Sequence, residues 1–138
     1  MFERQILAKL EQWKTSSRRK PLILRGARQV GKTTVVNQFG KQFDNYLYFN
    51  MEMAENVRMF EMAIPLDDLV DMLFASQGKA RTPGNTLIFI DEIQNSPKTI
   101  GLLRYFYEWR PDLHVIAAGS LLENLIDVKA VSYTHLRA

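Results

Sequence analysis

The sequence has 138 residues, of which 46% are apolar and 24% charged, which suffices for one domain with a hydrophobic core. It contains no cysteine, which excludes disulfide bonds and thiolate metal sites and fits a reducing, cytoplasmic location. The net charge of +3 permits contact with nucleic acid without predicting it, and no apolar run is long enough for a membrane helix, so no membrane partner is expected.

Apolar residues at helical spacing predict an amphipathic first helix over residues 2–14. Further along the chain, short and mainly apolar runs predict buried strands, and helical patterns separate them. In chain order these elements are a strand at 22–24, a helix at 32–39 capped by Gly40, a strand at 46–49, a helix from Pro65 to Ala75, a strand at 87–90, a helix from Ser96 to Arg110 and a strand at 113–118. The methionine-rich residues 51–63 are ambiguous. The alternation of strands and helices predicts an α/β fold with a mostly parallel sheet.

The segment after the first strand, GARQVGKT, matches the phosphate-binding loop pattern at every fixed position. Such a loop directs successive backbone N–H groups at one anion, and the following helix presents its positive N-terminus to it. In this interpretation Lys32 reaches the β- and γ-phosphates and Thr33 is a ligand of Mg²⁺. The predicted nucleotide-binding residues are Gly26, Ala27, Arg28, Gln29, Val30, Gly31, Lys32, Thr33 and Thr34. The alternative is a glycine turn that binds nothing, and at the loop tip, Arg28 and Gln29, simple exposure to solvent is favoured.

A pair of carboxylates follows the buried strand at 87–90. Ligands gather at the carboxyl ends of parallel strands, so Asp91 is expected to face the phosphate loop and hold Mg²⁺. Glu92 is expected to orient or deprotonate the attacking water. The alternative is that Asp91 and Glu92 form only a turn or helix-start signal; the phosphate loop at this distance favours the functional interpretation. The guanine-reading tetrapeptide Asn-Lys-x-Asp is absent from the sequence, which argues against a switch GTPase.

The segments RGARQVGKTT, LIFIDEIQ and HVIAAGSLLE together resemble the AAA-type ATPases of bacteria and archaea that carry an uncharacterised C-terminal domain. The resemblance covers nearly all of residues 1–126. It implies a three-layer P-loop NTPase of the ASCE/AAA type with the strand order 5-1-4-3-2, and ATP hydrolysis with ATP and Mg²⁺ bound. It also implies a polar sensor at Ser120, for which a helix N-cap is an equal alternative.

The final segment VSYTHLRA does not continue this pattern. It resembles a peptide that arises when sequencing-adapter DNA is translated, so the prediction is that residues 131–138 are not native. Residues 1–130 would then be the N-terminal part of an AAA-type ATPase domain, truncated before the fifth strand. The truncation is expected to expose the apolar edge of the strand at 22–24 and to leave this chain weakly active.

The function predicted for the intact protein is Mg²⁺-dependent ATP hydrolysis coupled to a conformational change. The catalytic residues would be Lys32, Glu92 and Ser120, with Thr33 and Asp91 as metal ligands. Two alternatives stay open: a nucleotide-dependent switch that binds a partner without sustained turnover, and a DNA-acting ATPase of the initiator or loader type. A homo-oligomer or a protein partner, engaged through the missing C-terminal part, is a further expectation. Nucleic acid is permitted but unsupported.

Overall fold

The computed structural model describes residues 2–17, 19–25, 31–119 and 132–135. Its helices are α1 (Phe2–Lys14), α2 (Lys32–Gly40), α3 (Ala54–Phe60), α4 (Leu66–Ser76) and α5 (Pro97–Trp109), with a 3₁₀ turn at Ile93–Asn95. Its strands are β1 (Leu22–Arg25), β2 (Asn45–Asn50), β3 (Thr86–Asp91), β4 (His114–Gly119) and β5 (Ser132–His135). The predicted elements are all present, with ends within one residue of the expected ones, and the ambiguous residues 51–63 contain α3. No helix in the described ranges is long and apolar enough to span a membrane.

The strands form one sheet in the order β2-β3-β4-β1-β5. Each neighbouring pair is parallel, so the chain must cross over between strands, and helices provide the described crossovers. Read from the other edge, this is the strand order 5-1-4-3-2 that the family resemblance implies. The predicted α/β class with a mostly parallel sheet is therefore confirmed.

The expectation that the sheet stops before a fifth strand needs correction. Residues Ser132–His135 pair in parallel with Leu22–Arg25, on the side of β1 that β4 leaves open. An open strand edge presents unpaired N–H and C=O groups, and an extended segment that contains β-branched and aromatic residues can satisfy them. The predicted exposed edge of β1 is thus covered. The pairing does not bear on the origin of residues 131–138, which stays a prediction.

Two helical layers cover the two faces of the sheet. Residues of α1 and α2 pack with Leu87 and Phe89 of β3 on one face. Residues of α3, α4 and α5 pack with Ile88 and Ile90 on the other. Since successive side chains of a strand point to opposite faces, residues Leu87–Ile90 of β3 are all apolar, and the odd-numbered residues of β3 face α2. This alternation decides where the polar residue that ends β3 points.

The sequence predicts Gly40 as the cap that follows α2, but Gly40 is the last residue of that helix. The cap is Lys41, which has the ordinary helical dihedral angles φ −64° and ψ −17°. Glycine is required at position 40 for another reason: a Cβ atom there would lie 2.8 Å from the ring of Tyr46. The glycine therefore permits α2 to approach β2 closely.

His114 begins β4 and is buried between aromatic rings. Its ring lies 5.6 Å from that of Trp13 and 4.9 Å from that of Phe43, and its Nδ1 has no hydrogen-bond partner among the described residues. Burial, together with the nearby Arg19 and Lys14 cations, lowers the pKa of His114 from 6.5 to about 4. The folded protein therefore holds this imidazole in its neutral form.

The buried His114 predicts a loss of stability in acid. Because its pKa is lower in the folded than in the unfolded state, the unfolded chain takes up a proton first as the pH falls from 6.5 towards 4. The contribution of this group to the free energy of unfolding is then lost over that window, by at most about 3 kcal/mol. Phenylalanine keeps the aromatic packing without the proton, so His114→Phe is expected to flatten the pH dependence in urea unfolding. If the free energy of unfolding falls equally with pH in His114→Phe and in the unchanged protein, His114 is not the group responsible.

Candidate functional site

The carboxyl ends of the parallel strands meet along one edge of the sheet. β1 ends at Arg25, which lies opposite Gly119 at the end of β4. β3 lies between β4 and β2 and ends at Asp91. The N-terminus of α2 lies at the same edge, where Thr33 in its first turn contacts Asp91 at the end of β3. Of the predicted site, Gly31, Lys32, Thr33, Thr34, Asp91 and Glu92 belong to the described residues. The predicted positions Gly26, Ala27, Arg28, Gln29, Val30 and Ser120 lie outside them.

The N-terminus of α2 combines a glycine and a buried cation. Gly31 has φ 75° and ψ 24°, in the left-handed region that glycine adopts with little strain. The first turn of α2 carries no acidic residue and its N-cap makes no side-chain hydrogen bond, so the residues of this helix do not themselves neutralise its positive end. Lys32 follows and is only 4% exposed. A helix N-terminus and a buried ammonium group therefore lie together, an arrangement that suits phosphate.

Asp91 points towards α2 because of its place in the alternation of β3. It lies two residues after Phe89, which packs on the side of α1 and α2, so both side chains project from that face. Asp91 is 4% exposed; the hydroxyl of Thr33 donates a 2.7 Å hydrogen bond to its Oδ2, and the backbone N–H of Glu92 donates to its Oδ1 at 3.0 Å. Asp91 therefore lies beside Thr33 in the first turn of α2, whereas its binding of Mg²⁺ stays a prediction.

Tyr48 is a site residue that the sequence analysis missed. Its hydroxyl donates a 3.0 Å hydrogen bond to Asp91 Oδ2, the same oxygen that accepts from Thr33. The register pairs Tyr48 with Phe89, which places its ring on the face that Asp91 shares. Burial, and then the Asp91 carboxylate, raise the pKa of Tyr48 far above its ordinary value, so the hydroxyl remains a donor at neutral pH. The side-chain alternation of β2 indicates the face of the sheet on which Tyr48 lies, and the register of β2 against β3 then brings it to Asp91.

Glu92 leaves β3 in an uncommon backbone conformation. With φ 55° and ψ 43°, it is the one non-glycine residue with positive φ among those described. This conformation costs about 1 kcal/mol or more, and such costs are concentrated at functional sites. It turns the chain from the strand into the 3₁₀ turn, so the Glu92 side chain does not follow the alternation of β3. Its Oε1 accepts a 2.9 Å hydrogen bond from Gln94 Nε2, a contact that the sequence analysis also missed.

The side chains at this edge fit a magnesium ion that is bound together with phosphate. In the described part of the chain no cluster of three or more His, Cys, Asp or Glu residues could hold a metal ion alone. Mg²⁺ does not need such a cluster, since it binds through one or two carboxylates, phosphate oxygens and waters. The Thr33 hydroxyl and the buried Asp91 carboxylate, already in contact, are oxygen ligands of the kind that Mg²⁺ prefers.

Comparisons with known proteins point to the same class of fold. A family model described as an AAA domain matches residues 18–134. A Walker-type ATPase of Pyrococcus abyssi is similar in structure, with a TM-score of 0.61 and 17% identity over 99% of this chain and 53% of that one. The Aeropyrum pernix ORC1 protein in complex with DNA has a TM-score of 0.61 and 15% identity over 98% of this chain and 44% of its own. No curated protein matches the chain.

A third similar structure is Drosophila ORC bound to DNA, with a TM-score of 0.63 and 18% identity over 94% of this chain and 41% of that one. At such identities the likeness shows a shared fold, and the predicted P-loop NTPase fold class is confirmed. The chain spans about half the length of these proteins or less.

Proposed function

The chain belongs to the AAA domain family, and we propose on this basis that it binds ATP with Mg²⁺ and hydrolyses it, coupling hydrolysis to a conformational change. Membership of the family supports nucleotide binding. We further propose that the protein is cytoplasmic. The chain spans about half of the similar structures, and we propose that the whole protein acts on a further partner.

One observation carries this proposal: the 2.7 Å hydrogen bond between Thr33 and Asp91 beside the N-terminus of α2. A structural glycine turn does not need a buried carboxylate from another strand, placed on the first turn of the next helix. A phosphate–magnesium site does, because the hydroxyl and the carboxylate must share one metal ion. The buried ammonium group of Lys32 adds the cation that the phosphates require.

Each residue then has a separate role. The first backbone N–H groups of α2 and the Lys32 ammonium group would bind the β- and γ-phosphates. Thr33 and Asp91 would hold Mg²⁺. The bound metal ion would neutralise the negative charge that develops on the phosphates during hydrolysis. Glu92 would orient a water molecule and accept its proton, and Gln94 donates a hydrogen bond to its Oε1. Tyr48 would keep the Asp91 carboxylate directed at the metal.

The substitution Asp91→Asn tests the metal-binding part of the proposal. The asparagine keeps the size of the side chain but loses the charge, so Mg²⁺ should no longer strengthen ATP binding. We expect the affinity for ATP in the presence of Mg²⁺ to fall about tenfold or more, with a much smaller change in its absence. Calorimetric titration with ATP, with and without Mg²⁺, measures both affinities.

The matched control is Asp71→Asn, because Asp71 is an exposed residue of α4 that pairs with Arg81. It should bind ATP like the unchanged protein under both conditions. An Asp91→Asn variant that is folded and keeps the full effect of Mg²⁺ would exclude Asp91 as a metal ligand.

A nucleotide-dependent switch without sustained turnover is the second candidate. It uses the same phosphate site, and it differs in that one bound ATP would be hydrolysed once or not at all. A burst of about one phosphate per chain, without a steady phase, would favour it. If Glu92→Gln changed neither ATP binding nor phosphate release, that result would also favour the switch over an ATPase with steady turnover.

A DNA-acting ATPase is the third candidate, and the similar structures give it one observation. Two of them, from Aeropyrum pernix and Drosophila, were determined with DNA bound. The net charge of +3 is too small to add support. Stimulation of ATP turnover by duplex DNA, weakened by added salt, would favour this candidate.

A further inference from the structure

Gln94 lies on the 3₁₀ turn that follows β3 and contacts the carboxylate of Glu92. Its amide Nε2 donates a 2.9 Å hydrogen bond to Glu92 Oε1. Both side chains are partly exposed, so neither is held by close packing on every side. A glutamate with several rotatable bonds loses conformational freedom when it is fixed in one orientation, and this hydrogen bond offsets part of that loss.

The end of β4 supports the same amide group. Gly119 is buried, and a Cβ atom at this position would overlap Oε1 of Gln94 and lie 3.4 Å from the backbone nitrogen of Ile93. The absence of a side chain at Gly119 therefore leaves the space that the Gln94 amide occupies. A line of contacts thus runs from the carboxyl end of β4 through Gln94 to Glu92.

We propose that Gln94 is a positioning residue that holds the Glu92 carboxylate in its reactive orientation, with Gly119 providing the space for its amide. The inference rests on the proposed ATP hydrolysis and deepens it. The hydrogen bond at Oε1 restricts rotation of the Glu92 carboxylate and so keeps the proposed base in one orientation. Gln94 acts through its hydrogen bond to Glu92.

Two variants test this role independently. Gln94→Leu removes the donor, and Gly119→Ala displaces the flexible end of Gln94. Both are expected to lower kcat for ATP about tenfold or more, while the KM for ATP changes by less than about twofold. Phosphate release measured over a range of ATP concentrations gives both constants, and the melting temperature of each variant shows that it is folded.

A double-substitution cycle separates positioning from a general structural effect. If Gln94 acts only through Glu92, adding Gln94→Leu to Glu92→Gln should leave the residual rate unchanged. A structural effect would lower the rate in both backgrounds. The matched control is Gln12→Leu, on the exposed side of α1, which should leave kcat unchanged.

The outcomes also distinguish this inference from the proposed function. An unchanged kcat in folded Gln94→Leu, where Glu92→Gln is inactive, overturns the positioning role alone. A raised kcat also overturns it, because the hydrogen bond would then restrain Glu92 from reacting. A parent protein without hydrolysis overturns both proposals together.

Discussion

Replacing Glu92 with glutamine is expected to lower the rate of ATP hydrolysis by about a hundredfold or more, while the affinity for ATP changes less than about twofold. Glutamine has the same length and loses only the capacity to accept a proton. The left-handed backbone at this position strains glutamine as it strains glutamate, so the fold should be kept. Phosphate release under saturating ATP measures the rate, and calorimetric titration measures the affinity.

The control for this experiment is Glu108→Gln on α5, where Glu108 pairs with Arg104 one helical turn away. That variant should hydrolyse ATP like the unchanged protein. A Glu92→Gln variant with the full rate would show that another group accepts the proton. A variant that also lost ATP binding would show that Glu92 supports the nucleotide site rather than the chemistry.

Replacing Lys32 with alanine is expected to weaken ATP binding about a hundredfold and to remove hydrolysis at ordinary ATP concentrations. The ammonium group is buried at the N-terminus of α2, where a charge-assisted hydrogen bond to phosphate is poorly screened by water. Alanine is a good helix former, so α2 itself should persist. Titration with ATP measures the affinity, and circular dichroism measures the helix content.

Lys41 at the other end of the same helix provides the matched control. It is exposed and caps the C-terminus of α2, so Lys41→Ala removes the same charge far from the predicted phosphates. Its affinity for ATP should equal that of the unchanged protein. Equal losses in Lys32→Ala and Lys41→Ala would indicate a nonspecific effect of charge, and the phosphate site would have to be placed elsewhere.

The fold could be predicted from the sequence because its strands carry a strong local signal. Leu87–Ile90 is continuously apolar, as a strand buried on both faces must be, and the helical patterns between strands require parallel pairing. Parallel pairing in turn places strand ends at one edge, which is why Asp91 could be expected near Thr33. The spacing of the phosphate-loop pattern also identified Lys32 as the residue predicted to contact the phosphates.

The remaining features depend on strand register, on an uncommon backbone conformation and on pairing with a distant strand. Tyr48 reaches Asp91 through the register of β2 against β3, and no short motif encodes a register. Gln94 contacts Glu92 within the 3₁₀ turn that follows Glu92, whose left-handed backbone conformation is one that glutamate seldom takes. β5 was missed because Ser132–His135 gains its partner only from the open edge of β1. Contacts between distant segments decided the placement of Tyr48 and of β5.

ATP hydrolysis at this site is best tested by the release of phosphate from Mg²⁺-ATP by the protein, followed over many turnovers beside Glu92→Gln. We expect a steady release that requires Mg²⁺ and is nearly absent in the variant. If the protein binds Mg²⁺-ATP yet releases phosphate no faster than Glu92→Gln, the site holds a nucleotide without hydrolysing it. The claim of an ATPase would then be contradicted, and the switch would replace it.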